Sequence, residues 1–302
     1  MRTPLVPFPG PPGNGNPLYF KAENLQPVGA FKIRGAYNKI ASLTEAERGR
    51  GVITYSSGNH ARAVAYAARC FGARAVIVMP RNTPPVKQEA TAALGAEIVL
   101  VGPASSERQQ KAEALAAEHG YVMVKPYNDQ KIVAGQGTCG LEIVEDMPDV
   151  ELVLAPISGG GLLSGIATAV KLSTPRVKVI GVEPELAGDA QESFRSGRVV
   201  EWPAEKTTRT ICDGLRTQSM GEIPFAHLQK YVDDILTVSE DQIRAAMRKL
   251  ALEAHLVAEP SGAASFAGYL FQHDHLPAAR RTVVVISGGN VEPALLAQVL
   301  AQ

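Results

Sequence analysis

From residue 18 to the end, short β-branched runs alternate with longer alanine-rich and small-residue stretches. Compact apolar runs bounded by glycine, proline or polar residues predict strands at 51–55, 75–79, 97–101, 121–125, 151–157, 177–183 and 282–287. Between them, helical patterns are expected at 61–71, 84–94, 107–118, 163–172 and 242–255. Thr44 and Glu47 have the spacing of a capping box, and Ser239 stands where an N-cap precedes an acidic turn. The stretch 7–16 is too rich in proline and glycine for an ordinary helix.

Strands alternating with helices imply parallel sheets covered by helices, an α/β fold. The units at 51–125 form one block and the strands after Asp149 another, so two open α/β domains are expected. The small domain is assigned 51–128, and the large one 1–50 together with 129–302. Ligands of such sheets bind beyond the carboxyl ends of strands. Strand-to-helix junctions are therefore where chemistry is sought.

Composition narrows the possibilities. The 302 residues carry 30 basic and 30 acidic side chains, mixed along the chain, with no net charge. Without a basic stripe, nucleic acid is not an expected partner. The three cysteines, Cys70, Cys139 and Cys212, show no metal-type spacing and read as free thiols. Neither a signal-peptide pattern nor a run of membrane-spanning length is evident, so a cytoplasmic protein is expected.

Two junctions stand out. Ser158-Gly159-Gly160-Gly161-Leu162 follows an apolar strand and opens a small-residue helix. Consecutive glycines admit an anion to the free N–H groups of a helix start. The spacing matches neither a dinucleotide fingerprint nor a P-loop. Ser56-Ser57-Gly58-Asn59-His60 gathers hydroxyls, an amide and an imidazole at a second junction, which suits a carboxylate. Two further segments are Gly29-Ala30-Phe31-Lys32-Ile33-Arg34-Gly35-Ala36 and Ser287-Gly288-Gly289-Asn290. Taken alone, Lys32 reads more readily as a surface cation whose stem lies on apolar surface.

In order along nearly the whole chain, from Lys21-Ala22-Glu23-Asn24 to Ser287–Asn290, these motifs resemble the serine/threonine dehydratases and serine racemases. Those belong to the fold-type-II, tryptophan-synthase-β-like pyridoxal-phosphate (PLP) enzymes. The resemblance implies two α/β domains with twisted, largely parallel sheets and the cofactor in the cleft between them. It implies that Lys32 carries the cofactor as a Schiff base, with Phe31 packed nearby. Asn59 is similar to the asparagine that bonds the ring's phenolic oxygen. Ser158, Gly159, Gly160, Gly161 and Leu162 correspond to the phosphate cradle, and Ser287 to the partner of the pyridine nitrogen. Ser57, Asn59 and His60 lie where the family binds substrate, and Ser57 also where racemases place a second acid–base group. Glu183, Asp189 and the carbonyl of Ala187 resemble a site for Mg²⁺, Mn²⁺ or Ca²⁺, whose hard ions suit oxygen donors.

The implied activity is dehydration and deamination of L-threonine or L-serine to the 2-oxo acid and ammonia. Lys32 removes the α-proton and the β-hydroxyl leaves. A neutral Ser287 makes the ring a weaker electron sink than an aspartate partner would, which favours elimination over a long-lived carbanion. The alternatives are a serine racemase or a 3-hydroxyaspartate dehydratase or racemase. A β-replacement enzyme and a catalytically silent metabolite-binding protein are less favoured. Family members with β-replacement activity carry threonine at the position of His60. The expected partners are a small hydroxy-amino acid and a second copy of the chain in a homodimer, with no membrane. Arg62, where the family often has glutamine, puts nucleotide activation in doubt.

Overall fold

The computed structural model describes residues 1–9, 17–102 and 105–301; most of the proline- and glycine-rich stretch 7–16 lies outside them. The chain divides into two compact units, Met1–Phe31 with Gln136–Gln302, and Lys32–Gly135. Each is an α/β layer structure.

The chain opens with β1 (Leu5–Phe8) and β2 (Leu18–Ala22). There follow α1 (Lys32–Ala41), α2 (Glu45–Arg50), β3 (Val52–Tyr55), α3 (Asn59–Cys70), β4 (Ala75–Pro80) and α4 (Pro85–Ala92). Next come β5 (Glu97–Val101), α5 (Ser105–His119), β6 (Val122–Met123), α6 (Gln130–Asp146), β7 (Leu152–Pro156) and α7 (Gly161–Ser173). After β8 (Lys178–Pro184) lie α8 (Asp189–Ser196), α9 (Ala204–Thr207), α10 (Glu222–Tyr231) and β9 (Asp234–Val238). The chain ends with α11 (Glu240–Glu253), α12 (Pro260–Phe271), β10 (Thr282–Ile286) and α13 (Pro293–Leu300).

The larger unit holds a six-stranded sheet in the order β1-β2-β10-β7-β8-β9, parallel except for the β1–β2 pair. Its central strands are apolar at consecutive positions because both faces are covered. Leu152, Leu154, Val284 and Ile286 enter one core with α11 and α12, whereas Val153, Ala155, Val283 and Val285 enter the other with α6 and α7. The period-2 alternation of side chains thus splits one hydrophobic run between two cores.

The smaller unit holds a four-stranded parallel sheet, β5-β4-β3-β6, whose core includes Ile53, Val76, Val78 and Ala112. The helices α1 and α2 group with this sheet, and α1 packs along α3. Thr44–Glu47 and Ser239–Gln242 both form complete capping boxes, each contributing about 1 kcal/mol.

The seven expected strands are present, most with ends shifted by a residue. The run 121–125 shortens to Val122–Met123, since Pro126 carries no N–H to continue a ladder. The strands β1, β2 and β9 were not anticipated. Pro7 itself lies in β1, on the sheet edge where a missing N–H is tolerated. Among the described residues no helix is long and apolar enough to cross a membrane. All three cysteines are unpaired, with Cys139 and Cys212 buried.

Candidate active site

In the smaller unit, Lys32 is the first residue of α1. It is half-buried, and its Nζ donates to the carbonyl of Pro126 at 2.8 Å. The protein packed around the amine lowers its pKa from 10.5 to about 8, because burial penalises the charged form. An amine so shifted is a usable nucleophile and base near neutrality. The surface-cation reading of Lys32 therefore fails.

The loop Ser56–Gly58 joins β3 to α3 in the same unit. Gly58 caps α3 without a capping side chain, so the first-turn amides, that of His60 among them, have no intrahelical acceptor. His60 is 3% exposed, and its Nε2 lies 3.0 Å from the carbonyl of Val124. A carbonyl only accepts, so Nε2 carries the proton and Nδ1 keeps a lone pair, buried and without a partner. Burial, then the nearby charge of Lys32, pushes the imidazole pKa down to about 3. The ring is thus neutral, and it offers no donor beyond the one on Val124. The carbonyls of Val124 and Pro126, just past β6, hold His60 and Lys32 respectively, and the two side chains are near enough for the lysine charge to act on the ring.

In the larger unit, Gly160 precedes α7 at φ +89° and also lacks a capping side chain. A Cβ there would stand 2.8 Å from the Cβ of Pro224. Gly159 accepts from the amide of Gly221 at 3.2 Å, and the Ser158 hydroxyl meets that of Thr217 at 2.5 Å. The turn is therefore pinned from behind, leaving the amides at the head of α7 for an anion. Ser287 follows β10 and is 3% exposed; its Oγ lies 3.5 Å from the carbonyl of Ser261 at the start of α12. Phe31 packs at the margin of one core of this unit.

Glu183 and Asp189 stand at the end of β8 and the start of α8. Both are fully buried. Glu183 accepts from the amides of Ala190 and Gln191 at 3.3 and 2.6 Å. Neither carboxylate oxygen of Asp189 meets a hydrogen-bond partner from another residue. Burial raises both pKa values, Asp189 to about 7, and the charge of Asp189 raises Glu183 further. Ala187 is buried in the turn between them. Among the described residues no three His, Cys, Asp or Glu side chains come together as a metal-binding group.

Several residues here carried no sequence signal. Thr217 is 59 residues from Ser158, and the carbonyls of Val124 and Pro126 have no side-chain signature. Glu259, 4% exposed, donates its amide to Gly288 at 3.0 Å; only its place before a small-residue helix could have marked it.

The smaller unit thus carries a half-buried lysine of lowered pKa and the head of α3 without a capping side chain. The larger unit carries the head of α7 without one, and each helix head follows a strand of an α/β sheet. The family model described as pyridoxal-phosphate dependent enzyme matches residues 1–288, and the chain belongs to that family. It is 43% identical to the L-threo-3-hydroxyaspartate ammonia-lyase of Saccharomyces cerevisiae over 278 residues, covering 92% of this chain and 84% of the relative. It is 44% identical to the L-threonine ammonia-lyase of Thermotoga maritima, covering 95% and 70%. The crystal structure of a threonine deaminase from T.th. superposes with a TM-score of 0.90 at 43% identity, covering 97% of this chain and 94% of the other. Maize serine racemase superposes at 0.94 with 36% identity, covering 100% and 92%. The fold is that of the fold-type-II PLP enzymes, and PLP is the cofactor of the family.

Proposed function

We propose that the chain is a PLP-dependent ammonia-lyase that dehydrates and deaminates L-threonine or L-serine, with Lys32 as cofactor anchor and base. The observation that carries this reading is the Lys32 amine, lowered to about 8 by burial and held on the Pro126 carbonyl. The residues fit the group part by part. The amides at the head of α7 suit the phosphate, with Ser158, Gly159, Gly160, Gly161 and Leu162 as cradle. Asn59 would bond the phenolic oxygen, Ser287 the ring nitrogen, and Phe31 would pack nearby.

When bound, the cofactor withdraws electrons from the substrate α-carbon. The Lys32 amine takes the α-proton, and the Pro126 carbonyl is placed to accept from the resulting ammonium. Ser57 and the α3 amides, including that of His60, hold the substrate carboxylate. The imidazole of His60, neutral and tied to Val124, fixes the loop. Loss of the β-hydroxyl as water and hydrolysis of the released product give the 2-oxo acid and ammonia. Ser287 can donate only a neutral hydrogen bond, which favours elimination.

Glu183, Asp189 and the Ala187 carbonyl would hold a divalent cation. Two adjacent buried carboxylates, one without a partner, fit a cation there. Stripping divalent ions with a chelator should lower the melting temperature, and Mg²⁺, Mn²⁺ or Ca²⁺ should restore it. A homodimer and a cytoplasmic location form part of the same reading, supported by the family resemblance.

A second substrate is favoured by one observation. Arg108, half-buried near the Tyr55 phenol, shares its unit with the Ser57 loop, and burial lowers its pKa. A guanidinium there suits the second carboxylate of 3-hydroxyaspartate. The test is to incubate the enzyme with each enantiomer of serine, threonine and 3-hydroxyaspartate and measure 2-oxo acid and enantiomer together. Keto acid from the L-hydroxy-amino acids supports the proposal. Racemisation without keto acid, or rapid cysteine formation from O-acetylserine and sulfide, would overturn it.

A further inference from the structure

Of the Ser287-Gly288-Gly289-Asn290 motif, the reaction uses only the serine. Asn290 has a different task. The segment 28–31 runs beside 287–290 within the larger unit, and the two are closed on each other. The amide of Phe31 donates to the carbonyl of Ser287 at 3.0 Å, and the amide of Gly289 donates to the carbonyl of Gly29 at 2.9 Å. Ala30 and Gly288 form an isolated antiparallel bridge. Asn290 completes the set from its side chain, with Nδ2 donating to the carbonyl of Val28 at 2.8 Å.

Gly29 is the hinge of this arrangement. It sits at φ +72°, a conformation that side-chain-bearing residues rarely adopt. Its missing Cβ is also the space that Asn290 fills, since a Cβ there would lie 2.6 Å from Oδ1. The asparagine thus holds the left-handed turn from outside while donating across it. Asn290 and Val28 form one end of this closed pair; Ser287 and Phe31 lie together at the other, and the residue after Phe31 is Lys32.

We infer that Asn290 is a positioning residue. By locking the Val28–Phe31 turn onto 287–289, it sets the peptide from which Lys32 departs in register with the Ser287 hydroxyl. The inference rests on the reading above, in which Lys32 anchors the cofactor and Ser287 meets its ring nitrogen. The contacts that carry the inference join Asn290 to Val28 and Gly29. Asn290 acts through the backbone, so its loss should disturb how the cofactor is held rather than how substrate is bound.

The test uses holoenzyme of wild type, Asn290→Asp, Asn290→Ala, Gly29→Ala and the Gly29→Ala/Asn290→Ala double variant. Asn290→Asp keeps the shape against Gly29 and loses the donor to Val28. Four quantities are read: kcat, KM, the pH midpoint of the cofactor's visible band, and the melting temperature. In both single Asn290 variants kcat should fall about tenfold with KM within about twofold, as for a small misplacement of reacting groups. The visible-band midpoint should move by about half a pH unit or more. In the double variant the loss should be smaller than the product of the single losses, because truncating Asn290 clears the space that a Cβ on residue 29 needs.

Unchanged kcat and midpoint would overturn the inference, as would strictly multiplicative losses. A raised KM with unchanged kcat would overturn it too, and so would a fall in melting temperature and activity with the midpoint fixed. Borohydride reduction followed by peptide mapping separates the two levels. A wild-type adduct away from Lys32 removes both the reading and the inference. An adduct on Lys32 with Asn290 variants indistinguishable from wild type removes only the inference.

Discussion

The two strand-to-helix junctions, Ser56–His60 after β3 and Ser158–Leu162 after β7, look alike in sequence and differ in construction. Both precede a helix whose cap is glycine and has no capping side chain. At α7 the glycine is forced: Gly160 lies at φ +89° with the side chains of Pro224 and Leu228 pressed behind it. At α3, Gly58 has φ −118°, and no atom lies within 4 Å of a notional Cβ. The first junction is open and the second closed from behind. A rigid cradle suits a group that stays through every turnover. An open loop carrying Ser57 and the amide of His60 suits one that comes and goes.

The largest effect expected on this contrast comes from outside both loops. Lys32→Ala should reduce dehydration by at least about 10⁴-fold, because anchor and base go together. Turnover retained in that variant would remove the reason for assigning the loops to cofactor and substrate at all. Next, Ser57→Ala should abolish racemisation while leaving a measurable part of dehydration, since only the former needs a second acid on the opposite face. Parallel loss of both activities would show that Ser57 merely binds.

The contrast itself is sharpened by matched substitutions. Gly160→Ala should cost about 1–3 kcal/mol of stability through strain at a positive φ and weaken cofactor retention. Gly58→Ala should stay within about 1 kcal/mol. Equal melting temperatures and equal cofactor affinities would erase the distinction between the junctions.

The smallest effect is a pH dependence. With the Lys32 pKa at about 8, cofactor recombination with the stripped protein should rise about fivefold from pH 7 to 8. Above that it should gain less than about twofold, as the amine becomes fully deprotonated. The linkage has a definite sign. A lysine with a depressed folded pKa binds fewer protons folded than unfolded between about 8 and 10.5. The stripped protein should therefore gain stability as pH rises through that window. His60, at about 3, is neutral throughout and should contribute nothing to either change.

What the sequence disclosed follows the same division between local and distant causes. The parallel strands were legible because sheets covered on both faces read as unbroken apolar runs, as in β7 and β10. β9 opens on Asp234 and β2 carries Lys21, a fully buried cation paired with Glu142 at 2.7 Å, so neither reads as an apolar run. The helix α6 holds three glycines within Gly135–Gly140 and has poor intrinsic propensity; packing supplies what the local sequence lacks. Lys32, Ser57 and the Ser158–Leu162 loop stood out as candidates through their motifs. Their supports did not. Thr217 behind Ser158, the carbonyls beneath Lys32 and His60, and Asn290 against Gly29 meet only through tertiary folding.

The decisive measurement is borohydride reduction of the holoenzyme followed by mass mapping of the modified peptide. The cofactor-derived mass should fall on Lys32 and vanish in Lys32→Ala. A stable adduct on any other lysine would contradict the assignment of Lys32 as the anchor.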